Sequence, residues 1–451
     1  MAQPRYKPLV DQLAADIRDG KLAPGTRLPT HRQLADEQGI ALVTASRVYA
    51  ELEQMGLISG EIGRGTFVRE TSLPPGHGID QSVNPDGMLD LNFNSPSIPG
   101  QTDLLRQALR KLTASGDLEA LLHYQPHAGR RHERAIVASH LADRGLQVEP
   151  EQVLIVSGAQ HGLATSVMAM LQPGDLVATD ALIYPGFKVL AQVQRLELAP
   201  IPADRSNQPG MDLDVLEQLC LTRRVRAVYS MPTLHNPLGW VMPLQQRQRL
   251  VELARRFELI LIEDAAYAFH AEDPPPPLAT LAPERTLYVS GLSKSIATGL
   301  RVGFVCAPTA WIPQLERVIR ATTWNTPGLM TALGCRWIED GTVTQLEAQK
   351  REDARQRQAM ARQILEGLDI TGHPAAYFLW LNLPEEVRTD RLVSALMSEQ
   401  VAVSGAEPFA VGSPVPHAIR LALGSVSLQA LEIALKRVRQ LIDDQAYGLG
   451  Y

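Results

Sequence analysis

The stretch SGLSKSIATGLRVGF, Ser290 to Phe304, sets one lysine, Lys294, among small residues and returns an arginine, Arg301, seven positions later. Apolar runs flank it, RTLYV before and VGFVC after, so Lys294 falls on the turn that leaves a strand. A lysine forms a Schiff base with a carbonyl only where a dry pocket keeps part of it neutral. Working outward, similar runs recur from Leu89 onward: QVLIVSGAQHG, DLVATDALIYPG, VRAVYSMPTLHNPLG and LILIEDAAY. Near-continuous apolar runs of four to six residues, each followed by a polar loop, predict a parallel sheet buried on both faces in an α/β domain. Ligands of such sheets sit beyond the carboxyl ends of the strands. The polar residues after each run therefore converge on one place.

Each of those residues has a chemical use there. Arg301 is spaced to return to an anion beside Lys294, and its fork suits phosphate. Ser157 to Gln160, SGAQ, joins a strand to a helix, so the amides of Gly158 and Ala159, with Gln160 following, can cradle that phosphate. Asp264 follows LILIE, where a buried carboxylate needs a cationic partner; a pyridinium nitrogen would supply one. Tyr267 and Asn236 can reach a phenolate oxygen on the same ring, and Tyr184 offers a face for stacking. Singly each has an ordinary reading, as a helix cap, a turn residue or a surface lysine. The order is what counts.

The first seventy residues read differently. Val10, Leu13, Ala14 and Ile17 repeat at helical spacing, and Gly20, Pro24, Gly25 and Pro29 break the pattern. Thr30 is a predicted N-cap for a short helix stopped by Gly39, and a third helix follows from about Leu42 to Met55. LISGEIGRGTFVRE then predicts two strands around Gly63-Arg64-Gly65. Three helices and a hairpin describe a winged helix-turn-helix over residues 1–70. Residues 71–88, rich in Pro, Gly and polar side chains, read as a linker, and residues 89–451 as the large domain.

Bulk properties constrain less. Residues 1–70 hold nine Lys/Arg and nine Asp/Glu, so the head is neutral, and the remaining 34 basic and 40 acidic residues account for the net −6. A case for nucleic acid must rest on where individual arginines sit. Three scattered cysteines suggest neither disulfides nor zinc. His123 and His127 are four apart but separated by Pro126, so no metal site is expected. No apolar run reaches membrane-spanning length, and the N-terminus has no apolar signal core; a cytoplasmic protein is expected.

The head resembles the GntR-type winged helix-turn-helix through Pro24-Gly25, Leu28-Pro29, Arg32, Leu34-Ala35, Gly39, Thr44, Arg47, Tyr49 and the wing Gly63 to Val68. That resemblance implies double-stranded operator DNA as partner, with Arg32, Thr44 and Arg47 as contacts and Arg64 aimed at the minor groove. From Leu89 on, the chain is similar to the fold-type I aminotransferases, which have a smaller C-terminal α+β subdomain. The implied cofactor is pyridoxal 5′-phosphate (PLP), held by Lys294 as an aldimine, with Asp264 at the ring nitrogen, Tyr267 and Asn236 at O3′ and Tyr184 stacked on the ring. Ser293 and Arg301 would hold the phosphate. Tyr124 would reach the phosphate of a neighbouring subunit, which implies a homodimer, and Arg420 would grip a substrate carboxylate. Where that family usually has Ser or Thr three residues before the lysine, this chain has Gly291, so a phosphate hydroxyl is missing unless Ser290 shifts to replace it.

The combination resembles the MocR subfamily of transcriptional regulators, which implies a sensor for an amino compound or a B6 vitamer. The alternative is a working aminotransferase that also binds DNA.

Overall fold

The computed structural model describes all residues except 1–5, 19–20, 23–25, 56, 62–64, 69–87, 97, 116–117, 205–208 and 447–451. Arg64 and nearly all of the expected linker, residues 71–87, lie outside the described residues.

Three helices form the head: α1 (Lys7–Arg18), α2 (His31–Gln38) and α3 (Leu42–Gln54). Thr30 caps α2 as expected, its Oγ1 accepting from the Gln33 amide while the Gln33 side chain accepts from the Thr30 amide. Gly39 ends the helix at φ 62°, a left-handed conformation that glycine adopts without strain. Strands β1 (Ile58–Glu61) and β2 (Gly65–Val68) pair antiparallel as the wing. Val10, Ala14, Ala45, Val48 and Leu52 are buried at the centre of this small core. Tyr49 is buried with them, and its hydroxyl donates to the Pro29 carbonyl at 2.6 Å, fixing the turn before α2 against α3.

The large domain begins at β3 (Leu89–Asp90) and is built on seven strands: β4 (Val153–Val156), β5 (Leu176–Asp180), β6 (Glu197–Ile201), β7 (Val225–Ser230), β8 (Ile260–Asp264), β9 (Thr286–Gly291) and β10 (Gly303–Cys306). Their spatial order is β4-β10-β9-β8-β7-β5-β6. Strands β9, β8, β7, β5 and β6 run parallel, as the apolar runs predict. Strand β10 does not: it is antiparallel to both β9 and β4. The reason is the segment between β9 and β10. Residues 292–302 are spent on the turn that displays Lys294, a connection shorter than a parallel crossover needs.

A second sheet, β11 (Asp369–Thr371), β12 (Phe378–Asn382), β14 (Ser404–Gly405) and β15 (Ala418–Ala422), is antiparallel in the order β11-β12-β15-β14. Strand β13 (Val401–Ala402) pairs with β3, which ties the start of the domain to its end. The helix Leu428–Ala446 covers this sheet with Leu431, Leu435, Val438 and Ile442. The head meets this smaller lobe at the helix Thr389–Ser398. Arg388 pairs with Asp11 of α1 at 2.6 Å, and Arg391 lies 3.6 Å from Glu51 of α3.

Candidate cofactor site and DNA-binding face

Helix Ala159–Met170 starts at the carboxyl end of β4, and its N-cap Gly158 has φ 85°. A side chain at Gly158 would strike the Arg301 guanidinium, whose Nη2 lies 2.7 Å from the position a Cβ would take. Opposed on neighbouring strands, Gly291 and Gly303 press against the same helix start; a Cβ on Gly303 would lie 2.6 Å from the Gly158 carbonyl carbon. These glycines let two strands and a helix N-terminus meet without side chains between them. The result is an anion cradle of backbone amides. Arg301 leans over it, with Nη1 donating to Ser293 Oγ at 3.3 Å and Nη2 to the Ser157 carbonyl at 3.5 Å.

Ser290 does not supply the missing hydroxyl. Its side chain is buried and donates to the Ala265 carbonyl at 3.2 Å, away from the cradle. Nor could a serine at position 291 do so without a shift, because its Cβ would lie 2.8 Å from the Val302 carbonyl oxygen. The shift of Ser290 that the sequence left open is not seen, and the hydroxyl is missing.

Around the cradle lies a cavity of about 350 Å³, lined by Ala159, Gln160, Tyr184, Asn236, Asp264, Tyr267, Ser293, Lys294, Arg301 and Arg420. The structure thus brings together at one site nearly all the residues predicted for the large domain. Lys294 Nζ donates to the Asn94 carbonyl at 3.1 Å and lies 5.6 Å from the centre of the Tyr267 ring. Asp264 is 1% exposed, and burial pushes its carboxyl up to about 6. Tyr229 donates to its Oδ2 at 2.9 Å and the Ala266 amide to its Oδ1 at 3.1 Å. Tyr184 caps the helix Pro185–Val193, and burial pushes its phenol up to about 12, so it serves as a neutral ring.

Arg420 comes from β15 in the smaller lobe and is 4% exposed. Its Nη1 donates to the Asn92 carbonyl at 2.8 Å, while Phe378 and Phe409 lie 5.0 and 5.8 Å from its guanidinium carbon. Tyr124 stands apart. It is 84% exposed, rests against Trp324 and lies outside its own chain's cavity.

Four buried polar atoms around the cavity lack partners: Asn236 Oδ1, Gln160 Oε1, Arg420 Nε and Asn94 Nδ2. Buried polar atoms are normally satisfied, so unmet ones facing a cavity mark where a ligand bonds. A phosphorylated pyridine fits this set. The cradle with Ser293 and Arg301 matches the phosphate, Asp264 a protonated ring nitrogen, Asn236 and Tyr267 a ring oxygen, and Lys294 a carbonyl carbon. Sequence reading missed Tyr229, Asn92, Asn94 and Phe409, since a tyrosine inside a strand or an aromatic in a loop carries no signal of its own.

On the head, Arg32 and Arg47 are exposed and Thr44 is half-buried. The Arg47 guanidinium carbon lies 4.6 Å from the centre of the Tyr6 ring, so the head group itself is held against an aromatic face.

Comparison with known proteins matches two parts of the chain to two families. Residues 86–438 match the model of the aminotransferase class I and II family, and residues 5–68 that of the bacterial regulatory proteins of the gntR family. The uncharacterized HTH-type transcriptional regulator YdeF of Bacillus subtilis is 29% identical over 445 residues, covering 98% of this chain and 95% of that protein. The HTH-type pyridoxine biosynthesis transcriptional regulator PdxR of Corynebacterium glutamicum is 26% identical, covering 96% of this chain and 95% of its own length. Among solved structures, the α-aminoadipate aminotransferase LysN of Thermus thermophilus, complexed with N-(5′-phosphopyridoxyl)-L-leucine, aligns at TM-score 0.73 and 25% identity, covering 81% of this chain and 94% of that one. PLP is the cofactor of this fold, and the residues above fit it. The chain therefore belongs to the aminotransferase class I and II family, with a gntR-family DNA-binding head joined to its N-terminus.

Proposed function

We propose that this protein is a cytoplasmic, homodimeric transcriptional regulator. Its head, residues 1–70, reads operator DNA; residues 71–88 are a linker; residues 89–451 hold PLP and sense an amino compound. The observation that carries the sensing role is Arg420. It is a buried guanidinium facing the cavity, with no carboxylate within 4 Å among the described residues and an unmet Nε. A buried cation of this kind is costly unless an anion meets it. A ligand carboxylate answers that need, while Lys294, lining the same cavity, marks where the ligand's amino group would meet the PLP carbonyl carbon.

Bound PLP supplies a carbonyl carbon that amines attack and a ring that withdraws electrons. The chain's own residues do the rest. Asp264 would keep the ring nitrogen charged, Tyr267 and Asn236 would hold the ring oxygen, Tyr184 would stack against the ring, and Lys294, once freed, would carry a proton. For DNA, Arg32, Thr44, Arg47 and Arg64 are the contacts. Tyr124, with Leu122 at 85% and Leu118 at 44% exposure, forms an uncovered apolar face that suits a second copy, whose phosphate Tyr124 would reach.

The second reading is a working aminotransferase, favoured by a complete proton-transfer set at Lys294. The 2-aminoadipate transaminase of Thermus thermophilus is 27% identical over 354 residues, covering 76% of this chain and 87% of that one. A screen of amino acids, amines and B6 vitamers against the PLP-loaded protein tests the proposal. Spectral shifts that select carboxylate-bearing amines, without multiple turnovers, support sensing. Steady keto-acid release supports the second reading.

A further inference from the structure

A second lysine lies behind the first. Lys350 sits in the middle of the helix Thr342–Ile364, within the charged run EAQKREDARQRQ, yet it is 1% exposed. Its Nζ donates to the carbonyl of Lys294 at 3.1 Å and to that of Ile296 at 2.7 Å. The Ile296 carbonyl also accepts from Gln101 Nε2 at 2.9 Å. These carbonyls belong to an awkward piece of chain. Helix 292–295 is only one turn long, Ile296 ends it at φ −110° and ψ −84°, and Arg301 is left-handed at φ 51°. Without a helical continuation, the last carbonyls of that turn have no backbone donors. A buried ammonium supplies them from a different helix.

No carboxylate lies within ion-pair distance of Lys350 among the described residues, so carbonyl dipoles alone answer its charge. That is an expensive way to hold one turn. A buried leucine or methionine would pack there at lower cost, which suggests that the hydrogen bonds have a use. We propose that Lys350 is a positioning residue for Lys294: it grips the backbone at the Lys294 carbonyl and again two residues beyond it, and so fixes the direction from which the amine enters the cavity. This inference rests on the reading of Lys294 as the residue that links PLP.

The surroundings make the grip sensitive to pH. Burial, and next the Lys294 charge, hold the Lys350 amine down at about 8, while Glu347 and Asp353 on its own helix oppose this. His270, from the short helix Ala268–His270, faces it; burial and then Lys350 itself keep that ring well below its ordinary value, and therefore neutral. As pH rises through about 8, Lys350 loses its charge and the bonds to both carbonyls weaken.

The test uses full-length protein stripped of PLP and then recharged with PLP. The link at Lys294 is fixed with sodium borohydride and read by peptide mass at intervals, from pH 6.5 to 9.5. Labelling of Lys294 in the wild type checks the underlying reading first; its absence would remove that reading whatever Lys350 does. Lys350→Met should link PLP about tenfold more slowly, the size of one lost hydrogen bond from a charged group. It should also lose the wild-type inflection near pH 8, while melting in the PLP-free state stays close to wild type. Lys350→Arg, which keeps the charge, should recover much of the rate with the inflection gone. A Met variant with wild-type rate and profile would overturn the proposal. So would one that slows at every pH while keeping the inflection, since that marks a general structural role. If the Met variant does not fold, Lys350→Gln decides by the same criterion.

Discussion

The head and the large domain place their proposed working residues in opposite ways. In the head, Arg32 and Arg47 are exposed on a small core, and the whole unit carries no net charge. In the large domain, Asp264, Asn236 and Arg420 are each under 5% exposed, and an array of glycines brings the backbone to the ligand. The difference follows from the partners. DNA is larger than the head, so its readers must stand out in water, where each charge costs little to carry until DNA covers it. A small cofactor is enclosed, so every buried polar group is strong when met and costly when unmet. Substitutions in the two regions should therefore differ in size as well as in kind.

The largest effect is expected at Lys294. Lys294→Ala should fold and bind DNA, yet form no covalent chromophore with PLP; absorbance of the reconstituted protein reports this directly, and a retained band would contradict the site. Next comes Asp264. Burial raises its carboxyl to about 6 in the empty cavity, and a ring-nitrogen cation would lower it again. The empty form then holds a proton that the PLP-bound form releases, so PLP affinity should rise with pH up to about 6 and flatten above. Asp264→Asn should bind PLP more weakly and lose that rise. Calorimetric titrations at several pH values would show it.

Arg420→Ala should keep PLP but lose affinity for carboxylate-bearing amines by about 2–3 kcal/mol, since a charge-assisted contact is removed. An amine without a carboxylate should be affected far less. Equal losses would make Arg420 structural. In the head, Arg47→Ala should weaken binding to a selected duplex by about 1–3 kcal/mol without altering the PLP spectrum. The smallest effect belongs to the contact between the regions. Arg388 bonds an Asp11 carboxylate that is 57% exposed, so Arg388→Ala should change melting by about 1 kcal/mol or less. A larger change would mean that the two regions are more firmly joined than this pair implies.

Legibility in the sequence followed the same divide. Local rules were enough for the ends of α2: Thr30 and Gly39 punctuate it wherever the helix lies in space. The parallel strands and the polar residues after them were also readable, because apolar runs and turn residues are local. What depended on distant packing was not. The reversal at β10 follows from how few residues separate it from β9. Tyr229 reads as one more apolar strand residue until Asp264 is placed beside it. Lys350 reads as part of a solvated charged face until the Lys294 turn is laid over it. Ser290, next to a gap that wanted a hydroxyl, turned to a carbonyl in the core instead.

The central claim is that one chain joins an amine-detecting PLP site to a DNA-reading head. The most direct test is to load the protein with PLP, titrate carboxylate-bearing amines, and follow the chromophore together with affinity for a duplex selected from a random pool. The account predicts that for at least one such amine both signals change with a common midpoint, and that Arg420→Ala displaces both midpoints together. A chromophore that responds to amines while DNA affinity stays fixed throughout would contradict it.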